Sequence, residues 1–236
     1  MAGFGTIYRL QLRLLVTRAR VLGMVGLGVL GLVVAAVLGA EGPGTTLAGA
    51  RFVDTFGLSL LVPVATLVFA SAALGDPVED GTLVYLWLRP VRRSTIAVAS
   101  AAAALTVAWP VAVPLLVVAS ALTGGGGGLV VATAASATVA AVAYAAIFTA
   151  LGLRSRRALV WGLLYVLVWE GFVAAASRSA GRLAVRSHAR SLLADVADVR
   201  LRLADLSGPW TWLVPLAAAG VALVLTTRWL RTRDVP

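Results

Sequence analysis

The chain has 236 residues, of which 60% are hydrophobic and only 13% are charged, and its mean hydropathy is +0.96. Soluble domains carry about 25% charged residues, so the composition excludes an ordinary soluble enzyme and predicts one all-α transmembrane domain over residues 1–236. The net charge of +10 comes from arginines at the ends of apolar segments, where they serve as topology signals and lipid-headgroup contacts rather than as a nucleic-acid surface.

Residues 1–20 are predicted to form a helix in the cytoplasmic membrane interface. Arg9, Arg13 and Arg20 fall near one helical face of the stretch 5–20, and leucines occupy other positions. A basic amphipathic helix of this kind lies in the interface with its apolar side in lipid. The alternative is a plain charged lead-in, which the topology requires in any case.

Six apolar segments are each near or above the roughly 20 residues that cross about 30 Å of hydrocarbon. Pro110 and Pro114 predict a kink or a break in the third segment, because each proline removes a backbone donor, and Pro63 predicts the same in the second. The predicted spans are 21–41, 55–75, 94–121, 129–153, 158–176 and 210–230.

Arginines are distributed unevenly between the two sides of these spans. Thirteen lie in the two terminal segments and in the loops after spans two and four, whereas the opposite short loops contain only Arg51. Six more fall in the long loop after span five, which counts little toward orientation. Because basic residues in short loops stay inside, we predict a multi-pass protein of the cell (plasma) membrane with both termini in the cytoplasm.

The segment 76–93 is a polar stretch between two apolar spans. Acidic residues precede Gly-Thr-Leu, an apolar run follows, and arginines close the segment. Apolar anchors flanked by charges are typical of a protein-binding site. We therefore predict a contact site for a soluble partner at Glu79, Asp80, Gly81, Thr82, Leu83, Tyr85, Trp87, Arg89, Arg92 and Arg93. A turn that only sets topology is the alternative, but it leaves Gly-Thr-Leu and the exposed aromatic residues unexplained.

The long loop 177–209 is predicted to form a pair of extracellular helices. Four arginines recur every four residues at its start and predict a short basic helix, and apolar residues then recur at spacings of three and four, which predicts an amphipathic helix over 188–206. In that helix Asp198 and Arg202 stand at i,i+4, the spacing of a stabilising pair. The alternative is a solvated helical hairpin without a role.

Glu170 is the one acid that clearly falls inside a span, in the sequence Trp-Glu-Gly near the end of span five. A charge in hydrocarbon costs about 2.5–3.5 kcal/mol on insertion scales, so Glu170 is expected to face the bundle interior or water. Trp169 and Glu170 are therefore candidates for a substrate path or an outer gate. The alternative for Glu170 is a structural cap near the outer headgroups.

Enzymatic and metal chemistry find little support in the sequence. The chain has no cysteine and its single histidine, His188, lies in a loop, so thiolate and histidine metal sites are not expected. The five glycines 124–128 lack the following Gly-Lys-Ser/Thr of a phosphate-binding loop and predict a flexible turn. No aspartate cluster of the phosphatidyltransferase kind occurs on the predicted spans.

These features together resemble the ABC-2 type transporter permeases. The stretch from Glu79-Asp80-Gly81-Thr82-Leu83 to Arg89-Pro90-Val91-Arg92-Arg93 resembles that family's acidic-Gly-Thr-Leu…Arg/Lys-Pro-Val-Ser-Arg pattern, with Arg92 where serine is usual. The Trp169-Glu170-Gly171 motif, the interfacial helix, the six spans and the cytoplasmic termini are also similar to members of the family. Arginine without lysine indicates a high-GC genome, such as an actinobacterial one.

The resemblance implies the type V exporter fold: six transmembrane helices, an N-terminal interfacial helix and a short extracellular helical pair between spans five and six. It implies a permease dimer, homodimeric or heterodimeric, that contacts membrane lipids and two ATP-binding cassette subunits on the cytoplasmic side. The segment 76–93 is then the coupling helix. ATP and Mg²⁺ belong to the partner subunit, so no cofactor and no catalytic residue are expected in this chain.

Two other functions remain open at the level of sequence. A membrane component of an ATP-driven importer typically carries a different coupling motif in a later loop. A membrane scaffold or channel without an ATPase would leave segment 76–93 without a partner. Co-purification of a soluble ATPase separates the scaffold from either transporter.

Overall fold

A computed structural model describes residues 2–40, 45–87, 91–176 and 178–232, and within these ranges the chain is all-helical. A single α-helical turn, Ala174–Ala176, directly follows the helix Ala158–Val173. The helices are α1 Ala2–Leu15, α2 Arg18–Ala40, α3 Thr46–Glu79, α4 Leu83–Trp87, α5 Arg93–Leu122, α6 Gly126–Arg154, α7 Ala158–Val173, α8 Arg178–Gly181, α9 Val185–Val196 and α10 Trp210–Thr232.

Five helices are long and apolar enough to cross a membrane, namely α2, α3, α5, α6 and α10. They correspond to the first four predicted spans and the last one, and they agree with the prediction of an all-α membrane protein. The predicted span 158–176 corresponds to α7, which is apolar but shorter than the other five.

The helices α3 and α6 cross at the centre of the bundle. In the most apolar part of α3, 78% of the residues are buried, against 17% in α2, so α3 is internal and α2 peripheral. At the crossing, a Cβ added to Gly152 would collide with the backbone of Ser71, and Gly75 lies against Gly152 as well. Small residues let helices approach closely where no hydrophobic effect drives their association, which explains the alanine-rich and glycine-rich sequences of both helices.

Two helices contain π-helical segments, Val53–Leu61 in α3 and Tyr165–Val173 in α7. Each ends with a backbone N–H that reaches the carbonyl five residues earlier, from Val62 and from Ala174 respectively. Such wider turns are rare and occur frequently at functional sites. Pro63 follows the first of them, so the irregularity predicted for span two lies just before that proline.

Of the kink or break predicted for the third span, the break does not occur. The helix α5 continues through Pro110 and Pro114 without interruption. Both prolines are largely exposed, and long transmembrane helices tolerate proline because local adjustments satisfy the freed carbonyls again.

The antiparallel order of the long helices gives the bundle two distinct ends. We call the end that carries both described termini and the turns after α3 and α6 the basal end. There Arg20 pairs with Asp76 at 2.8 Å, and a small apolar core joins six helices through Ile7, Leu74, Leu83, Ile96, Leu153 and Leu230. The opposite end, which we call the capped end, carries the turn between α5 and α6, and α9 packs within the bundle against α3, α6 and α10. There the Thr46 hydroxyl donates to the Gly125 carbonyl at 3.0 Å.

The helix α1 is shorter than the predicted stretch 1–20 and lies along α5. It buries Ile7, Gln11 and Leu15, and the Gln11 side-chain amide donates to the Ser100 hydroxyl at 3.2 Å. Its other side leaves apolar and basic residues exposed together: Phe4, Leu10, Leu14, Arg9 and Arg13. The helix is therefore amphipathic in the manner of the predicted interfacial helix.

The amphipathic helix of the long loop has different bounds from those predicted. It covers Val185–Val196 rather than 188–206, and the segment 197–209 is not helical. Asp198 and Leu203 adopt left-handed backbone conformations, with φ of 51° and 66°. A helix cannot continue through such residues, which explains the early end of α9.

The prediction that Asp198 and Arg202 share a helical face is wrong for the same reason. The apolar spacing continues beyond the helix because Val199 and Leu201 pack against the main core from a non-helical segment. The short basic helix is reduced to Arg178–Gly181, Arg182 lies in the following turn, and Arg186 and Arg190 belong to α9.

Candidate functional site

The Glu170 carboxylate lies at the centre of a buried hydrogen-bond network inside the bundle. Only 3% of the residue is exposed. The Tyr144 hydroxyl donates to its Oε2 atom, and its Oε1 atom accepts from the Tyr165 hydroxyl at 3.0 Å and from the Val185 backbone N–H at 3.1 Å. A buried charge is tolerated only when such partners replace water, so this network accounts for an acid inside the bundle.

An aromatic column holds the two tyrosine hydroxyls in place. The ring of Tyr144 stacks on Phe148 with centroids 5.5 Å apart, and Phe148 meets Tyr165 edge-on at 6.2 Å. Tyr144 and Phe148 are fully buried one turn apart on α6. Packing of this kind removes the freedom of the donors, so the site is preorganised around the carboxylate.

Glu170 also caps the first turn of α9. The backbone N–H groups of Val185 and Arg186 lie 3.1 and 3.5 Å from its Oε1 atom, while the residue at the usual capping position, Ala184, has no side chain that can accept. The first N–H groups of a helix need external acceptors, and a negative charge there is favoured by the helix dipole. A carboxylate from α7 therefore supplies the cap that the sequence of α9 lacks.

A second acid, Asp54 of α3, pairs with two arginines of α9. The Arg190 Nε atom donates to Asp54 Oδ1 at 2.8 Å, and the Arg186 guanidinium lies 3.5 Å from Oδ2. Arg190 also reaches the Arg202 carbonyl at 3.5 Å, which ties the non-helical segment 197–209 to α9. Asp54 and Glu170 both lie in π-helical segments, so both irregular turns present an acid to α9. We call Asp54, Glu170, Arg186 and Arg190 the carboxylate clamp.

At the basal end, the predicted contact segment forms a short helix between two turns. Gly81 has a φ of 68°, a left-handed conformation that glycine adopts without strain, and this turn separates α3 from α4. Leu83 is buried in the basal core, whereas Tyr85 is 68% exposed. The segment is thus fixed to the bundle by one side chain and presents an aromatic ring to its surroundings.

The other predicted contact residues lie around that helix. Glu79, Asp80, Thr82 and Arg92 are exposed and Arg93 is half-buried. The backbone of Trp87 ends α4, and Arg89 lies outside the described residues. The predicted residues 79–85 therefore form one contiguous turn and helix with acidic residues at its start.

A polar recess of about 370 Å³ lies at the basal end, beside the last turns of α3. Asp76 and Glu79 from the end of α3 line it together with three arginines, Arg20, Arg156 and Arg157. The two polar loops of the basal end therefore meet in one charged surface, which the separate sequence motifs did not reveal.

Sequence analysis missed most members of the carboxylate clamp. Asp54 stands one residue outside the predicted second span, and the i,i+4 pair Arg186 and Arg190 is the signal that an acid lies opposite. Tyr144 is the only tyrosine of α6, and an isolated tyrosine in an alanine-rich span is the corresponding signal for a buried hydrogen bond. Trp169, predicted beside Glu170, is half-buried, and the hydrogen bonds and ion pairs described here for the clamp do not involve its side chain.

Comparison with known proteins gives no family to the chain. No protein-family model matches the sequence, and no curated protein matches it. The basis for a function is therefore the geometry of the bundle itself.

Proposed function

We propose that the chain is the membrane-spanning permease subunit of an ATP-driven exporter of the ABC-2 type. In this proposal two copies of the chain, or this chain and a related one, form the substrate path, and two separate ATP-binding cassette subunits bind at the basal ends. ATP and Mg²⁺ bind to those subunits. The alternative functions, an importer component or a scaffold, have no structural observation of their own in their favour.

The observation that carries the proposal is the attachment of α4. Leu83 is buried in a core shared by α1, α3, α5, α6 and α10, while Tyr85 and the preceding acids are exposed. A partner that binds Tyr85 therefore transmits movement through α4 and Leu83 to the helices that share this core. Exposed aromatic residues surrounded by charges are typical anchors of a protein interface.

The orientation follows from the distribution of arginines. The basal end carries the basic N-terminal segment, the loops after α3 and α6, and the end of α10, and the positive-inside rule favours the cytoplasmic side of the cell membrane for such an end. In this orientation α7, extended by its terminal turn, is the sixth span, since its length is near the roughly 20 residues required. The amphipathic α1 then lies in the cytoplasmic interface.

The carboxylate clamp fits the outer end of such a transporter. It fixes α9 over α3, α6 and α7 through groups on two different helices, so a relative movement of α3 and α7 must strain it or release it. Packed interfaces of this kind switch between discrete arrangements rather than deform continuously. Glu170 is therefore assigned to a closed outer gate, with its role as a helix cap as the physical basis.

The proposal is tested at Tyr85 and Glu79. A tagged wild-type chain purified from its native membranes is expected to bring down an ATP-binding cassette subunit and to stimulate its ATPase activity. Tyr85→Ala and Glu79→Arg are expected to weaken that association by roughly 30-fold, the effect of losing a hot-spot contact of about 2 kcal/mol. Membrane insertion should not change.

Phe172→Ala and Asp195→Arg are matched controls, because both residues are exposed and lie outside the basal segment 76–93. They are expected to leave the ATPase association at the wild-type level. Absence of an ATPase from the wild-type preparation, or wild-type association in both Tyr85→Ala and Glu79→Arg, contradicts the proposal.

A further inference from the structure

A lateral groove of about 540 Å³ opens between α6, α7 and α10. Its floor belongs to α6, and its two walls belong to α7 and α10. The residues that shape it are apolar or aromatic: Phe148, Leu151, Trp161, Val221, Leu225 and Trp229. Val221 and Trp161 are more than half exposed, so the groove is open at the side of the bundle that faces the membrane.

The groove ends at a cation. Arg154 is the only charged residue among the described residues that line it. Arg154 and Trp229 also line a second recess of about 300 Å³ at the basal end, together with Leu153 and Thr232. An apolar groove and a polar recess therefore meet at one exposed guanidinium.

This combination matches the chemistry of a membrane lipid. A guanidinium binds phosphate through two parallel hydrogen bonds, and basic pockets between transmembrane helices bind anionic lipid headgroups on the cytoplasmic side. Trp229 at the junction occupies the level at which tryptophan side chains lie in the interface. Arg228 and Arg231 are exposed on the last turns of α10 and add positive charge near the recess.

We propose that this groove binds an anionic phospholipid from the leaflet at the basal end. One acyl chain lies between α7 and α10 against Phe148 and Leu151, and the phosphate binds Arg154. The acyl chain then also contacts Tyr165, whose hydroxyl donates to Glu170. Occupancy of the groove therefore supports the aromatic column behind the carboxylate clamp.

Two variants test the two halves of the site. Arg154→Gln removes the phosphate partner, and Val221→Trp fills the groove from an exposed position. Arg200→Gln and Val224→Trp are matched controls, because they make the same changes at exposed positions that do not line the groove or the recess beside it. The purified full-length chain in detergent is titrated with phosphatidylglycerol or with phosphatidylcholine of the same acyl chains, and bound lipid is counted by native mass spectrometry.

The wild-type chain and both controls are expected to retain one phosphatidylglycerol with roughly tenfold preference over phosphatidylcholine, because the choline cation offsets the attraction of the second lipid's phosphate to Arg154. Arg154→Gln should lose the preference, and Val221→Trp should lose retention of both lipids. Unchanged retention in these two variants, or equal losses in the controls, overturns the proposal. A wild-type dimer that binds no lipid and is separated into monomers by Val221→Trp overturns it as well, because a second copy of the chain then occupies the groove.

Discussion

Glu170 shows how one side chain reconciles a charge with the interior of a membrane bundle. Its carboxylate accepts hydrogen bonds from two tyrosine hydroxyls and from the start of α9. Each of these donors is itself buried or partly buried, so solvent has little access to replace the carboxylate. The acid and its donors are therefore mutually dependent, and removal of the acid leaves several polar groups without an acceptor.

We expect Glu170→Ala to lower the free energy of unfolding by about 3 kcal/mol, because a buried donor without a partner costs about 1–3 kcal/mol. Glu170→Gln should cost less, about 1–2 kcal/mol, since the amide oxygen still accepts while the favourable charge at the helix N-terminus is lost. Thermal denaturation in detergent and hydrogen exchange of the α9 amides measure both effects.

Glu79→Gln serves as the control for this pair of variants. Glu79 is exposed, and surface substitutions usually change stability by less than about 0.5 kcal/mol. If the Glu170 and Glu79 variants unfold at the same temperature and α9 exchanges equally in both, Glu170 does not cap α9.

Asp54 and its arginines illustrate a different balance. The pair between Asp54 and Arg190 is largely withdrawn from solvent, and burial of such a pair offsets much of its attraction. Its contribution is therefore to position rather than to net stability: it fixes the face that α9 presents to α3. Arg186 links the two halves of the carboxylate clamp, because its backbone reaches Glu170 and its side chain reaches Asp54.

Among the helices, the crossing of α3 and α6 depends on the absence of side chains. The backbones of Ser71 and Gly152 approach so closely that a single methyl group has no room. Dispersion and packing drive helix association in lipid, so a wider crossing loses contacts along both helices. Gly220 on α10 is the opposite case, because nothing lies within 4 Å of an added Cβ there.

We therefore expect Gly152→Ala to destabilise the chain by about 1–3 kcal/mol, the usual cost of overpacking. Gly220→Ala should be neutral or stabilise the chain by up to about 1 kcal/mol, because alanine has the higher helix propensity. Thermal denaturation of the two variants in the same detergent compares identical substitutions in two helices. Equal stability of the two variants would show that α3 and α6 cross at a greater distance.

The topology of the whole molecule can be measured one position at a time, because the chain contains no cysteine of its own and single cysteines can be introduced. We expect Gly127→Cys and Leu183→Cys to react with a membrane-impermeant thiol reagent in intact cells. Tyr85→Cys and Arg231→Cys should react only after permeabilisation. All four positions are exposed, so burial cannot mask the result.

The same four positions separate the alternative topologies. Protection of Leu183→Cys in intact cells would show that α7 does not cross the membrane. Reaction of Tyr85→Cys in intact cells would place the basal end outside the cell and remove the basis for an ATPase contact. The pattern across all four residues therefore tests the six-span arrangement and the orientation independently.

The amino-acid sequence by itself determined which segments are membrane helices and where the polar segments between them lie. Transfer of apolar residues into lipid depends on local composition and length, so four long spans and the last one appear in the structure close to their predicted positions. The turn at Gly81 and the polar segment around it were visible for a similar reason, because glycine and charged residues act locally.

Only the tertiary structure decided which polar groups meet. Asp54 lies 136 positions from Arg190 along the chain, and Glu170 caps a helix that begins after an intervening turn, so neither pairing follows from spacing. The sequence also did not reveal that α9 ends at Val196. The regular spacing of apolar residues continues beyond it, in residues that pack against the core without helical structure. Burial of a polar group requires a partner in space rather than in sequence, and for this reason the carboxylate clamp emerges only from the packed bundle, as does the lateral groove between α6, α7 and α10.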